Sequence, residues 1–239
     1  RTYAPRDQFN VTAPVMEFHQ RHNSGNSLII EMFSRYFRTP EGFANFVYLS
    51  QVQQALAMKT AVEYWRSLRP HCMGTLYWQL NDTWPVCSWA SLEYGGKWKL
   101  LHYMARRFFA PATVTARPAG NGRVEIWAVN DGPRPFKGAL ALRVIEFGGK
   151  TTRKELLKVS LPAGSARLVK RLKTADIAPD PGSSFLSMAL TSGRETFRNE
   201  HFFRVFKKCD LAAARIAASV KQAGKTFRVT VSSSKPAFY

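Results

Sequence analysis

Hydrophobic positions recur at three- and four-residue steps in the first part of the chain and at every second residue in the later part. The first pattern predicts helices. Thr12 as cap and Pro14 as an early helical proline predict a short helix running towards His22. A second helix is predicted over 26–37, and Thr39-Pro40-Glu41 opens a long third one, closed by Pro70. Its apolar side carries Phe43, Phe46, Val47, Leu49, Val52 and Leu56. Residues 98–109 predict a last helix with Leu101, Met104, Ala105 and Phe108 on one side and Pro111 behind it. Before it, the nearly uncharged run 73–78 reads as a buried parallel strand, and 79–96 as a loop rich in Trp, Asn, Asp, Pro and Ser.

Beyond residue 112 the alternation changes to period two, which predicts strands over 124–129, 139–145, 166–172, 184–190 and 196–206. Turns at Asn121-Gly122, Asp131-Gly132-Pro133 and Pro181-Gly182 separate them, as in an immunoglobulin-like β-sandwich. A polar joint at Lys207-Lys208 leads to a hairpin, 216–220 and 225–231, around Ala223-Gly224. Helix, buried strand, loop and helix make the repeating unit of an α/β barrel, but a whole barrel takes about 250 residues. The expectation is therefore a multidomain α/β plus all-β chain. Residues 1–112 form the C-terminal remnant of a (β/α)8 TIM barrel, 113–207 an immunoglobulin-like β-sandwich, and 208–239 the start of a truncated β domain.

Composition bounds the partners. At 45% hydrophobic and 13% aromatic the 239 residues suit a folded globular chain, and no run approaches the ~18 apolar residues of a membrane span. The stretch 1–14 lacks the apolar core of a signal peptide. A net charge of +19 invites a nucleic-acid partner. The excess is unevenly spread, however. Residues 1–112 carry 12 basic and 7 acidic groups, and residues 113–239 carry 23 and 9. In the later part the cations sit at roughly alternate strand positions (Arg167, Lys170, Arg171, Lys173), the pattern of a solvated sheet face. Neither nucleic acid nor membrane is expected as a partner. Cys72, Cys87 and Cys209 have no metal-ligand spacing, and Cys72 reads as a small buried residue. His19-x-x-His22 lacks a third ligand, so no metal is expected.

The chemistry concentrates where the expected strand meets its loop, in Gly74-Thr-Leu-Tyr-Trp-Gln-Leu-Asn-Asp-Thr-Trp-Pro85. Active sites of α/β barrels occupy that strand end. Aromatic faces pack on the apolar face of a sugar ring, and Asn and Asp bond its hydroxyls. The plainer alternative is that Trp78, Trp84 and Trp89 are packing residues.

The run from Cys72 to Ser91, with Tyr94-Gly-Gly-Lys-Trp-Lys-Leu-Leu-His-Tyr103 and Arg107-Phe-Phe-Ala-Pro111, resembles the end of the barrel in the β-mannosidases of glycoside hydrolase family 2. His19-Gln, Gly25-Asn-Ser-Leu28 and Phe46-Val-Tyr48 are similar to that family too. The resemblance implies a retaining exo-hydrolase of terminal β-linked mannose, with no metal and no cofactor. Its partner would be a β-mannoside or mannose-containing oligosaccharide. It implies substrate-binding roles for Trp78, as floor of the −1 subsite, and for Asn81, Asp82 and Trp84 around it. It also implies two catalytic glutamates from earlier strands, expected upstream of Arg1, so that this stretch alone would be inactive. Leu92-Glu93-Tyr94-Gly95 imitates the nucleophile motif but falls in the loop before the last helix, and Glu93 is read as a decoy. Glu17, Glu31, Glu41 and Glu63 read as surface or capping charges on helices. The alternatives are another family 2 specificity, such as β-galactosidase, or a basic carbohydrate-binding module. Compartment and oligomeric state stay open, although bacterial relatives are often periplasmic.

Overall fold

The computed structural model describes residues 4–239. Five helices and nine strands are ordered along it, with the first four helices ahead of the first strand. The helices α1 (Pro14–Phe18), α2 (Gly25–Tyr36), α3 (Phe43–Arg66) and α4 (Leu100–Phe108) form the N-terminal region. None of the helices among the described residues is long and apolar enough to cross a membrane.

Helix α1 ends at Phe18 instead of reaching His22, and Ala13, not Thr12, is its cap residue. The Thr12 hydroxyl and amide both bond Asn10 Oδ1 at 3.2 Å, which holds that side chain in the preceding turn. Helix α3 starts three residues later than expected. Gly42, its cap residue, has a φ of +76°, a left-handed turn that glycine takes without steric cost and that cannot continue a helix from Pro40. Helices α3 and α4 bury Ala55, Val62, Leu101, Met104, Ala105 and Phe108 between them, while Phe33, Phe37 and Val52 join α2 to α3.

The run 73–78 is not a strand. It has no ladder partner among the described residues, and Leu76 is 97% exposed. An apolar run becomes a buried strand only beside neighbours that bond its backbone and cover its faces. Cys72 is correspondingly half-buried, whereas Cys209 is buried.

The rest is mostly β-sheet. Strands β1 (Ala112–Pro118), β2 (Arg123–Asn130) and β5 (Ser165–Lys173) form one antiparallel sheet in the order β1-β2-β5. Strands β3 (Phe136–Glu146), β4 (Thr151–Leu161), β6 (Ser184–Ser192) and β7 (Glu195–Phe202) form the other, in the order β4-β3-β6-β7. The short helix α5 (Thr174–Ile177) follows β5. Alternate residues of both sheets (Val114, Ile126, Leu140, Leu142, Met188, Leu190) meet in one core, as period-two side chains on facing sheets must. The amide of buried Asn199 on β7 donates to the Val114 carbonyl of β1 at 2.7 Å, tying the two sheets along one edge. This is an immunoglobulin-like β-sandwich.

Two joints fix the helices to the sandwich. At the end of α3, Arg66 donates through Nε to Asp131 Oδ2 at 3.0 Å and through its other nitrogens to the carbonyls of Phe108 and Ala110. Arg69 pairs with the other Asp131 oxygen at 2.6 Å. Glu63, expected at the surface, is buried here. The last turns of α3 face β1, and its carboxylate accepts from Lys59 and from Thr115 Oγ1, both at 3.0 Å. The second joint is the 3-10 turn Phe206–Lys208, where the sequence suggests only a polar link. Phe206 stacks on Phe37 with centroids 5.4 Å apart, and Lys207 donates to the Ser34 carbonyl at 2.8 Å.

Beyond it, β8 (Ile216–Ala223) and β9 (Thr226–Ser233) pair only with each other, as the sequence predicts for a hairpin. Val220 lies opposite Val229 and Ala218 opposite Val231, so the apolar side chains share one uncovered face.

Candidate functional site

The loop between residues 72 and 99 has almost no regular structure, yet its backbone is densely bonded. Ser91 N donates to Gln79 O at 3.0 Å, Leu92 N to Leu80 O at 2.8 Å, and Asp82 N to Leu92 O at 3.2 Å. Cys87 N donates to His19 O at 2.9 Å, which docks the loop against the end of α1. Lys99 N, just ahead of α4, donates to Ser91 O at 2.9 Å. The loop is therefore tied to the end of α1 at Cys87 and to the start of α4 at Ser91.

On this frame Trp78 is 75% exposed, next to a cis peptide bond to Gln79. Its indole face is open, as stacking on a sugar ring requires. Asn81 is also exposed; its Nδ2 reaches only the Asp82 carbonyl, at 3.4 Å. Asp82 is different. Its side chain is buried, one oxygen accepts from the Ser88 hydroxyl, and the other pairs with Lys99 Nζ at 3.2 Å. Both oxygens serve the loop.

Trp84 belongs to a separate group, half-buried between the loop and α1. It stacks on His19 with centroids 5.0 Å apart, and the Arg21 guanidinium lies over it at 4.2 Å. His19 Nδ1 donates to the Pro85 carbonyl, which fixes that ring. The sequence reading placed Trp84 with Trp78 but did not see its partners, because they come from residues sixty positions away. His22 lies apart from this stack; its Nδ1 accepts from the Ser24 amide at 3.2 Å.

Glu93 sits in a tight turn, with its amide donating to Lys97 O at 3.0 Å and its carboxylate 3.9 Å from Lys97 Nζ. Among the described residues nothing pairs it with a second carboxylate. Among the described residues no three His, Cys, Asp or Glu side chains gather as metal ligands. The residues that sequence reasoning missed are Tyr77, Ser91 and His102. Ser91 Oγ lies 2.9 Å from Tyr77 Oη and 3.0 Å from both the Leu80 carbonyl and His102 Nδ1.

The chain thus joins an immunoglobulin-like sandwich to a helical region whose loop presents an exposed indole. Residues 122–208 match the family described as Mannosidase Ig/CBM-like domain. In sequence and structure the chain matches β-mannosidases of glycoside hydrolase family 2, and the matches are consistent with a C-terminal part. It is 32% identical over 234 residues to the β-mannosidase of Mus musculus and 35% identical over 236 residues to that of Capra hircus. Each match takes in 87% of this chain and 26% of the relative, so the chain spans about a quarter of the length of the curated relatives it matches. A crystal structure of a β-D-mannosidase from Dictyoglomus thermophilum superposes with a TM-score of 0.89 at 30% identity, over 97% of this chain and 29% of that one. An exo-chitosanase of Amycolatopsis orientalis shares the fold, with a TM-score of 0.78 at 14% identity.

Proposed function

We propose that this chain is part of a retaining exo-β-mannosidase that removes terminal, non-reducing β-D-mannose from β-mannosides. Residues 1–112 are the last portion of a (β/α)8 barrel, 113–207 the sandwich that supports it, and 208–239 the start of a further β domain. The observation that carries the reading is Trp78, a large indole held exposed beside Asn81 on a loop laced to two helices. The open faces of Leu76 and Leu80 around it suit the flank of a barrel strand whose neighbours lie elsewhere in the polypeptide.

Retaining hydrolysis needs a nucleophilic carboxylate and an acid/base about 5–5.5 Å apart. Asp82 is committed to Ser88 and Lys99, and Glu93 to its turn with Lys97. The catalytic pair is therefore assigned to residues outside this stretch, and this stretch contributes one wall of the −1 subsite. Trp78 stacks on the apolar face of the mannose ring, Asn81 bonds its hydroxyls, Asp82 shapes the loop, and Trp84 lines the outer approach.

The test is hydrolysis of aryl β-mannoside against aryl β-galactoside by the intact protein, with Trp78→Ala beside it. The mannoside should be preferred, and the substitution should lower kcat/KM about tenfold or more, the equivalent of ~1.4 kcal/mol of ring stacking. Equal rates on both sugars, or no effect at Trp78, would overturn the assignment.

A further inference from the structure

Trp78 has no aromatic or cationic partner among the described residues, and no strand pairs with the segment that carries it. Its direction is set by its own backbone, and that backbone is held mainly from one side. Ser91, completely buried, supplies the hold. Its hydroxyl can donate once and accept twice. All three contacts are satisfied together when Tyr77 Oη–H and His102 Nδ1–H donate to Ser91 Oγ and Ser91 donates to the Leu80 carbonyl. The Ser91 amide then takes the Gln79 carbonyl. One residue thus grips the chain immediately before Trp78 and at both residues after it.

The far end of this linkage is rigid. His102 lies on α4, its ring packed edge-on against Trp98 at 4.4 Å, and α4 is buried against α3 through Leu101 and Ala105. The order of support runs from the α3–α4 core through His102 to Ser91, and from there to the two flanks of Trp78. Buried polar networks of this kind specify one geometry because every broken member leaves unsatisfied partners.

We propose that Ser91 is a positioning residue for the sugar subsite: through Tyr77, Leu80 and His102 it transmits the fixed position of α4 to the Trp78 indole. The proposal rests on the reading of Trp78 as a sugar platform. Ser91 itself touches no substrate. Replacing it leaves the active surface chemically intact but frees the indole to sample orientations that do not stack.

The experiment is a double-substitution cycle in the intact protein, using aryl β-mannoside. Trp78→Ala should cost about tenfold in kcat/KM in the wild-type background, but about threefold or less in a Ser91→Ala background, because the indole is no longer aimed. Ser91→Cys, which nearly keeps the volume and loses the strong hydrogen bonds, should behave like Ser91→Ala; a packing role would instead be rescued by it. Tyr77→Phe should give a weaker form of the same coupling. Fluorescence anisotropy assigned to Trp78, as the difference between proteins with and without it, should fall in Ser91→Ala and Ser91→Cys. Lower melting temperatures with an unchanged Trp78→Ala penalty and unchanged anisotropy would overturn the proposal and leave Ser91 a structural residue. Should the intact protein cleave no β-mannoside, the enzyme reading fails on its own, and the anisotropy alone decides whether Ser91 holds the indole.

Discussion

The sandwich and the helical region both carry many large apolar side chains, but they dispose of them differently. Within residues 112–208 the described large hydrophobic side chains are covered, with the exception of Leu156 on the edge strand β4. Before residue 110, Phe18, Leu76, Trp78, Leu80, Trp98 and Tyr103 are among many that face outward. The sandwich contains both of the sheets that its strands need, so each apolar face finds its opposite within the same stretch of chain. The helices bury only what faces one another or the two joints. Burial is a property of pairs of surfaces, and a segment's own hydrophobicity does not supply the second one.

The largest expected effect comes from separating the regions. Expressed alone, residues 112–208 should melt in one cooperative step, whereas residues 4–110 should aggregate or bind a hydrophobic dye without a cooperative transition. Circular dichroism melting with dye binding measures both. Cooperative folding of the helical region by itself would remove the contrast.

Single truncations sharpen it. Leu140, fully buried on β3, should cost about 3 kcal/mol when changed to Ala, through lost transfer energy and a residual cavity. Leu76→Ala in this chain should stay within about 0.5 kcal/mol, since its side chain already faces solvent. Denaturant titrations of the two variants give the comparison directly. A smaller effect is expected at the joint. Arg66→Met leaves Asp131 with Arg69 but strips the Phe108 and Ala110 carbonyls of their donor, a loss of about 2 kcal/mol. The same titration should also lose coincidence between helix and sheet signals, because the regions then uncouple.

The sequence disclosed what depends on local period. Strands β2, β3, β5 and β6, the hairpin β8–β9 and helices α2 and α4 all fall where alternation or helical spacing predicts them. Strand β4 was missed because, as an edge strand, it exposes both Arg153 and Lys154 and loses the in-out contrast that pattern reading uses. The burial of Glu63 was illegible for another reason: its partner Thr115 lies on a different element, and nothing near Glu63 signals it. At the candidate site the exposed residues were legible by type, since Trp78 and Asn81 stand in a long aromatic and amide run. Ser91 and His102 were not, because a serine eleven residues from a histidine carries no spacing signature until the loop is folded.

The smallest predicted effects are pH-dependent, and they report separately on the interface between the two regions and on the sandwich itself. His201 on β7 faces α3, where burial, with Lys59 nearby, lowers its pKa to about 4. An unfolded histidine titrates near 6.5. Between these values the unfolded chain binds a proton that the folded chain refuses, so this contribution is complete above pH ~6.5 and is lost as pH falls towards 4. Glu125 on β2 responds lower down. The Trp127 indole, and then Arg171 and Arg117, hold its carboxylate near 2 against the burial that opposes them. Its contribution is present above pH ~4.5 and is lost as pH falls towards 2. Melting temperature followed from pH 8 to pH 2 should therefore decline in two windows. His201→Phe should flatten the upper window and leave the lower; Glu125→Gln should do the reverse. If His201→Phe leaves the slope between pH 6.5 and 4 unchanged, β7 is not packed against α3 tightly enough to exclude a proton. The helical region would then be tied to the sandwich by its polar joint at Arg66 and by Phe206, without a sealed interface between them.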